Sequence, residues 1–264
     1  WRKVRRGLSA GRVQSAALKI ICDRENEIKN FKPEEFWIIN ADFQKDKVFT
    51  AKLTECQGKK LSIDNEEQNN AVLEELKKNP YIVSSLDEKD RIRKAPAPFT
   101  TSSMQQDAAN KINFSTRKTM MVAQQLYEGI EIKGHGTIGL VSYIRTDSVR
   151  ISDEAKAQAR EYILEKMGEE YYSNNIYKNR KGDVQDAHEA IRPSHIELEP
   201  DEIKDSLSRD QYKLYKLIWN RFLASQIAPA RFKAVNAGIS NGDYLFKATG
   251  SKMIFDGFLK VYQQ

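Results

Sequence analysis

Ala95-Pro96-Ala97-Pro98 separates two kinds of residue pattern and decides how the fold is read. Each proline lacks an N–H and pushes the residue before it toward extended backbone, so neither a helix nor an inner strand crosses this stretch. Upstream, residues 36–43 and 48–54 read as strands around a turn at 44–47, and residues 81–86 as a further strand. Between them, residues 66–78 suit a helix with Leu73 and Leu76 inward. Downstream the period becomes helical at about 103–112, 116–128, 152–167 and 208–226. Strand patterning returns at 234–240 and 244–249, flanking Asn241-Gly242-Asp243, a good hairpin turn because Asn and Gly tolerate positive φ.

Strands on both sides of a helical middle predict an α+β, multi-domain chain with a helical domain inserted into a β-rich one. Within the middle, two short helices, Gly129 and an extended stretch at 137–144 make a winged-helix-like arrangement. The reading assigns 1–34 to a basic helical segment, 35–96 with 231–264 to the β-rich domain, and 97–230 to the helical domain. The basic segment holds a helix at 12–30, where Val13, Ala16, Ala17, Ile20, Ile21 and Ile28 recur at helical spacing. Ser9 or Gly11 stands where a cap belongs, and Pro33 ends the helix.

The 264 residues suffice for two hydrophobic cores and part of a third. With 40% apolar and 30% charged residues the chain reads as globular, and no run approaches the ~18 apolar residues of a membrane span. It opens on Trp1 without a signal-peptide pattern, which suggests a piece of a longer protein. Cys22 and Cys56 form no CxxC pair, so neither a disulfide framework nor a zinc site is expected, and a reducing cytoplasm is the simplest setting. Residues 1–32 carry nine basic and three acidic side chains, the whole of the formal excess of +6. Such a segment beside a neutral body suits a polyanion through phosphate attraction and counterion release. A solvated basic helix would look the same.

Three segments carry candidate chemistry. In Tyr143-Ile144-Arg145-Thr146-Asp147-Ser148, an extended backbone turns Tyr143 and Arg145 to one side. A phenol is a poor nucleophile until a neighbour stabilises its anion, and a guanidinium can do this while also holding a phosphate through paired hydrogen bonds. The chain has eleven tyrosines, and Tyr-x-Arg also arises by chance. In Ala187-His188-Glu189-Ala190-Ile191-Arg192-Pro193-Ser194, helical spacing would put His188 and Arg192 on one face before Pro193 closes the segment. Histidine can shuttle a proton or donate to a phosphate, although a lone surface histidine is the commoner case. His135 and His195 have no comparable setting and read as surface residues. In Arg5-Arg6-Gly7-Leu8-Ser9-Ala10-Gly11-Arg12-Val13-Gln14-Ser15, glycines let backbone N–H groups approach an anion at a helix start, with Ser9, Arg12 and Gln14 as side-chain donors. The spacing is not that of a Walker loop.

Together, in this order, the three segments strongly resemble the signatures of the bacterial type IA DNA topoisomerases. Further likeness runs through Pro33-Glu34-Glu35-Phe36-Trp37, Lys118-Thr119-Met120-Met121 with Ala123-Gln124, and Phe255-Asp256-Gly257, so it spans essentially the whole chain. The resemblance implies that Tyr143 attacks a phosphodiester of single-stranded DNA to form a 5′-phosphotyrosyl link, which the freed 3′-hydroxyl later reverses without ATP. It implies that Arg145 stabilises phosphate and phenolate, and that His188 joins the hydrogen bonds around the scissile phosphate. Ser9, Arg12, Gln14 and Arg192 are the implied DNA-binding residues, and single-stranded and negatively supercoiled duplex DNA the implied partners. A torus with a β-rich hinge is the implied architecture.

The chain departs from that pattern in places. Family members carry a Toprim domain whose acidic cluster binds magnesium. No DxDxE stretch occurs here, so Mg2+ is expected only with the fuller enzyme, none is expected on these residues, and the piece alone is expected not to relax supercoils. Its expected protein partners are the Toprim and torus-base regions. Ser142 stands where threonine is common, and Gly134-His135-Gly136 has no assigned role. The alternative is a non-catalytic winged-helix DNA-binding module. A tyrosine recombinase ranks lower, because Tyr143 precedes His188 and Arg192.

Overall fold

The computed structural model describes residues 11–44, 46–177 and 188–263, and the chain divides into two compact units. The first contains residues 1–86 and 236–249, the second residues 87–235 and 250–264.

The first unit begins with α1 (Arg12–Asn30), preceded by Gly11 in the left-handed region. The helix forms where its apolar spacing predicts, yet none of its residues is buried, and Val13 and Ile20 are among its exposed apolar side chains. β1 (Asn40–Gln44) and β2 (Val48–Cys56) pair antiparallel, Asn40 opposite Lys52 and Gln44 opposite Val48. The expected first strand was longer. Ile39 O still accepts from the Leu53 N–H of β2 at 2.9 Å, but two residues earlier the Trp37 N–H donates to Ile63 O at 2.8 Å, outside the β1–β2 ladder. The short β3 (Lys59–Lys60) returns along the far end of β2.

α2 (Glu66–Leu76) starts at Asn65, whose side chain accepts from the Gln68 N–H, and it buries Asn69, Val72 and Leu76. Leu73, expected inward, is exposed instead, since the buried stripe runs through 69, 72 and 76. The six-stranded sheet has the order β1-β2-β8-β7-β4, with β3 on β2. β4 (Ile82–Arg93), β7 (Ala230–Asn241) and β8 (Tyr244–Phe255) have twelve residues each and carry the chain from one unit into the other. The β7–β8 turn is the Asn-Gly-Asp turn read from sequence. Asn241 is buried, and its amide donates to Leu76 O and Asn79 O. The first unit's core lies between this sheet and α2, around Ile39, Leu53, Ile63, Val72, Ile239 and Phe246.

The second unit is helical. α3 (Thr101–Ile112) opens with a capping box between Thr100 and Ser103, α4 (Thr116–Glu128) is capped by Ser115, and α5 (Asp153–Lys166) by Ser152. α6 (Arg209–Gln226) has a second capping box, Ser208 with Gln211. Each cap satisfies free N–H groups where a polar residue precedes an apolar periodicity. Ten of the eighteen residues of α6 are buried, which makes it the spine of this core. Burying a side chain such as Phe222 or Ile218 stabilises the fold by about 1.5–3 kcal/mol. A hairpin of β5 (Ile130–Ile132) and β6 (Gly136–Ile138) follows α4. The extended stretch expected to run on to Ile144 stops being a regular strand at Ile138.

Two anchors fix the strand ends to the helical core. The Arg221 guanidinium donates from Nε to Ala97 O at 2.6 Å and pairs with Asp107, which also accepts from the Tyr262 hydroxyl. The incoming Pro-Ala-Pro strap is thereby tied to α3 and α6. At the second anchor Tyr171 donates to Asp256 at 2.8 Å and Phe258 N–H donates to Ala228 O. Gly257 lies between them at φ +49, where a Cβ would stand 2.4 Å from Ala228 O.

No helix among the described residues is long and apolar enough to cross a membrane. Gly257→Ala combines left-handed strain with a backbone clash. It is expected to cost about 2–4 kcal/mol in urea unfolding, and a loss under about 0.5 kcal/mol would show that the anchor is not tight.

Candidate functional site

The site is built by two segments of the second unit lying side by side although nearly fifty residues separate them. Ser142 N–H donates to Arg192 O at 2.9 Å, Arg192 N–H donates to the Ser142 hydroxyl at 3.0 Å, and that hydroxyl donates to Ala190 O at 2.8 Å. Val141 bridges Pro193, and Ser194 N–H donates to Leu140 O. Around them Ile191 N–H reaches Phe99 O and Ala190 N–H reaches Arg150 O. These bonds give several polar backbone groups at the junction a partner, as burial demands.

Four further hydrogen bonds fix the 139–150 segment. Leu140 N–H donates to Leu126 O at the end of α4, and Gly139 fits there because a Cβ would stand 2.7 Å from Tyr127 O. On the far side the Thr101 hydroxyl donates to Ile144 O at 2.8 Å and to Thr146 O at 3.0 Å, and accepts from the Thr146 N–H. The consequence is alternation without a regular strand. Ile144, Thr146 and Ser148 are buried, while Tyr143, Arg145 and Asp147 are exposed. Tyr143 and Arg145 therefore share the open face, as the extended-backbone reading predicts.

The Tyr143 ring lies 4.7 Å from the His188 ring, tilted by 41°, and 5.7 Å from the Tyr127 ring in an edge arrangement. Both distances fall in the favourable range for aromatic pairs. Tyr143 is held between two rings yet is 37% exposed, so its phenol is open to solvent. Arg145 is exposed, and its side chain makes no ion pair or hydrogen bond among the described residues. Tyr127 was missed in the sequence reading. The available signal was its position off the buried stripe of α4 (Thr119, Val122, Ala123, Leu126), two residues before the Gly129 stop.

The helical reading of residues 188–192 is corrected. The segment is irregular, with bridges at Ile191 and Pro193. Pro193 disfavours helical backbone at Arg192, and Ala190, Ile191 and Pro193 face the core. His188 and Arg192 consequently do different things. His188 is exposed beside Tyr143, whereas the half-buried Arg192 donates from Nε to Glu189 at 2.8 Å and from Nη1 to Pro193 O at 3.0 Å. Burial opposes ionisation of Glu189, but the hydrogen bond and charge of Arg192, with hydrogen bonds from Ser152, outweigh it and hold the carboxyl below its ordinary value. His135 and His195 are both exposed, and His195 lies 3.2 Å from Glu197.

Of the basic-segment candidates, Arg12 and Gln14 stand exposed in the first turn of α1, with the Gln14 amide folded toward Gly11. Ser9 lies outside the described residues. Among the described residues no group of three His, Cys, Asp or Glu side chains could hold a metal ion. Both cysteines are free thiols.

Two predictions follow from this stitching. Ser142→Ala leaves Ala190 O and Arg192 N–H short of a partner and should cost about 1–3 kcal/mol in chemical denaturation, while Ser142→Thr keeps the hydroxyl and should stay within about 1 kcal/mol; equal losses would refute this role. The depressed folded value of Glu189 means that its pair with Arg192 stabilises above the ordinary value of 4.5 and that this contribution fades as pH falls through the folded value. The stability gap between wild type and Glu189→Gln should therefore be present at pH 7 and shrink as pH falls below 4.5, and a gap constant with pH would contradict it.

A model of the DNA topoisomerase family matches residues 1–264. Among solved structures, full-length topoisomerase I from Thermotoga maritima matches with a TM-score of 0.80 and 41% identity, over 97% of this chain and 41% of that one. The chain thus spans less than half the length of that protein. With a match over its whole length and a shared fold at this identity, the chain belongs to the bacterial type IA DNA topoisomerases.

Proposed function

We propose that this chain carries the strand-cleaving tyrosine of a topoisomerase that relaxes negatively supercoiled DNA, and that Tyr143 is that tyrosine. One observation carries the reading: a 37% exposed phenol with an imidazole ring 4.7 Å away and a guanidinium two residues along the same open face. In the proposed step the Tyr143 oxygen loses its proton and bonds to phosphorus as the P–O3′ bond of single-stranded DNA breaks. The departing 3′-oxygen takes up a proton, and a 5′-phosphotyrosyl link remains. Rejoining is the reverse, so the bond energy is conserved and ATP is not consumed.

Arg145 would hold the phosphate through paired hydrogen bonds and stabilise the charge that develops on its oxygens. His188 is close enough to hydrogen-bond the same phosphate or pass a proton near neutral pH. Arg12, Gln14 and Ser9 are the proposed grip on the DNA backbone. Arg192 is proposed to act mainly through the segment that it braces, since its guanidinium is committed to Glu189 and Pro193. The magnesium implied by the resemblance finds no ligand set among the described residues, and nothing proposed for Tyr143, Arg145 or His188 passes through it.

The test is covalent capture. Joined to the metal-binding region of a bacterial topoisomerase I, the chain should form a protein–DNA adduct with single-stranded oligonucleotide that survives denaturant, and Tyr143→Phe should abolish it. Arg145→Ala should lower adduct formation by about 100-fold or more, the range seen when one stabilising donor is lost. An adduct that persists in Tyr143→Phe refutes the assignment, as does duplex binding indifferent to both variants with no adduct at all, the behaviour of a DNA-binding module.

A further inference from the structure

The first unit contains a cleft of about 530 Å3 that the cleavage chemistry does not use. It opens beside β2, where residues 36–38 precede β1 outside the ladder. Ile39, Leu53 and Ile63 are buried in its floor, and Phe36 and Trp37 form one wall. Trp37 is fixed twice: its backbone N–H donates to Ile63 O at 2.8 Å, and its indole N–H donates to Glu35 at 2.7 Å. The indole is nevertheless 37% exposed, and Phe36 is 70% exposed. Lys52, Lys60 and Lys247 also line the cleft. Lys247 is paired with Glu55, whereas Lys52 and Lys60 have no ion-pair partner among the described residues.

This combination identifies an occupant by its chemistry. A preordered aromatic face offers stacking worth about 1–3 kcal/mol per base with little sequence preference. Unpaired ammonium groups offer charge to phosphates. A seat for another polypeptide segment would be depleted in lysine at its centre. We propose that the cleft is a second single-stranded DNA subsite, with a base against Trp37 and Phe36 and the flanking phosphates on Lys52 and Lys60. The inference rests on the reading that the chain acts on DNA, but not on Tyr143.

The experiment is photocrosslinking of the whole 264-residue chain to a twelve-residue oligothymidylate carrying 5-iododeoxyuridine, with the products mapped by mass spectrometry. The expected photoproduct lies on Phe36 or Trp37. Lys52→Ala/Lys60→Ala, both exposed positions whose loss should leave the circular dichroism melt unchanged, should lower its yield at least fivefold. Tyr143→Phe should leave that yield unchanged, so failure of the nucleophile assignment and failure of the cleft remain separate outcomes. Crosslinks confined to the Tyr143 and His188 segments overturn the proposal while leaving the cleavage reading intact. Absence of crosslinks at Phe36 and Trp37, or a yield indifferent to the double lysine variant, also overturns it.

Discussion

The Ser142 hydroxyl and its neighbouring backbone groups hold together the two segments on which the site depends. Tyr143 and His188 are forty-five positions apart, and nothing local brings them together. Three hydrogen bonds between residue 142 and residues 190 and 192, with the flanking bridge from Val141 to Pro193, set the separation of the rings. Thr101 performs the matching task for residues 144–146 from the N-terminal end of α3. Irregular backbone persists in the core here because these specific partners answer polar groups that a regular ladder would otherwise satisfy.

That arrangement explains how a tyrosine can be both held and available. Tyr127 and His188 restrict the Tyr143 ring from two sides, while the alternation of burial along 143–148 keeps its edge and Arg145 in the open. In the proposed cleavage, fixing the nucleophile before the strand arrives would remove part of the ordering cost of the reaction. The proline strap and Phe255-Asp256-Gly257 serve the same end from further away, by anchoring the strand ends to the helical core through Arg221 and Tyr171.

Much of this was legible in the residues. Helix positions followed apolar spacing and polar caps closely, because Thr100, Ser115, Ser152 and Ser208 each announce a start. The Asn241-Gly242-Asp243 turn was equally plain. The reading failed where tertiary partners override local period. The His188–Arg192 spacing suggested a helix, but pairing with residues 140–142 holds it irregular. Trp37 looked like a strand residue until Ile63 claimed its N–H. Leu73 looked inward because leucine usually is, and only the placement of α2 on the sheet selects 69, 72 and 76. Tyr127 stands off the buried stripe of α4, but its pairing with the Tyr143 ring comes from tertiary packing that local pattern does not show. The family was carried by motifs rather than by periodicity, and the family match agrees with them.

The central claim is that one phenolic oxygen becomes bonded to DNA phosphorus. It is tested most directly by trapping the cleaved complex with the metal-binding region supplied, digesting with nuclease and trypsin, and sequencing the nucleotide-bearing peptide by mass spectrometry. The account predicts the added mass on the peptide running from residue 134 to residue 145, whose single tyrosine is Tyr143. A nucleotide found on any other residue would contradict it.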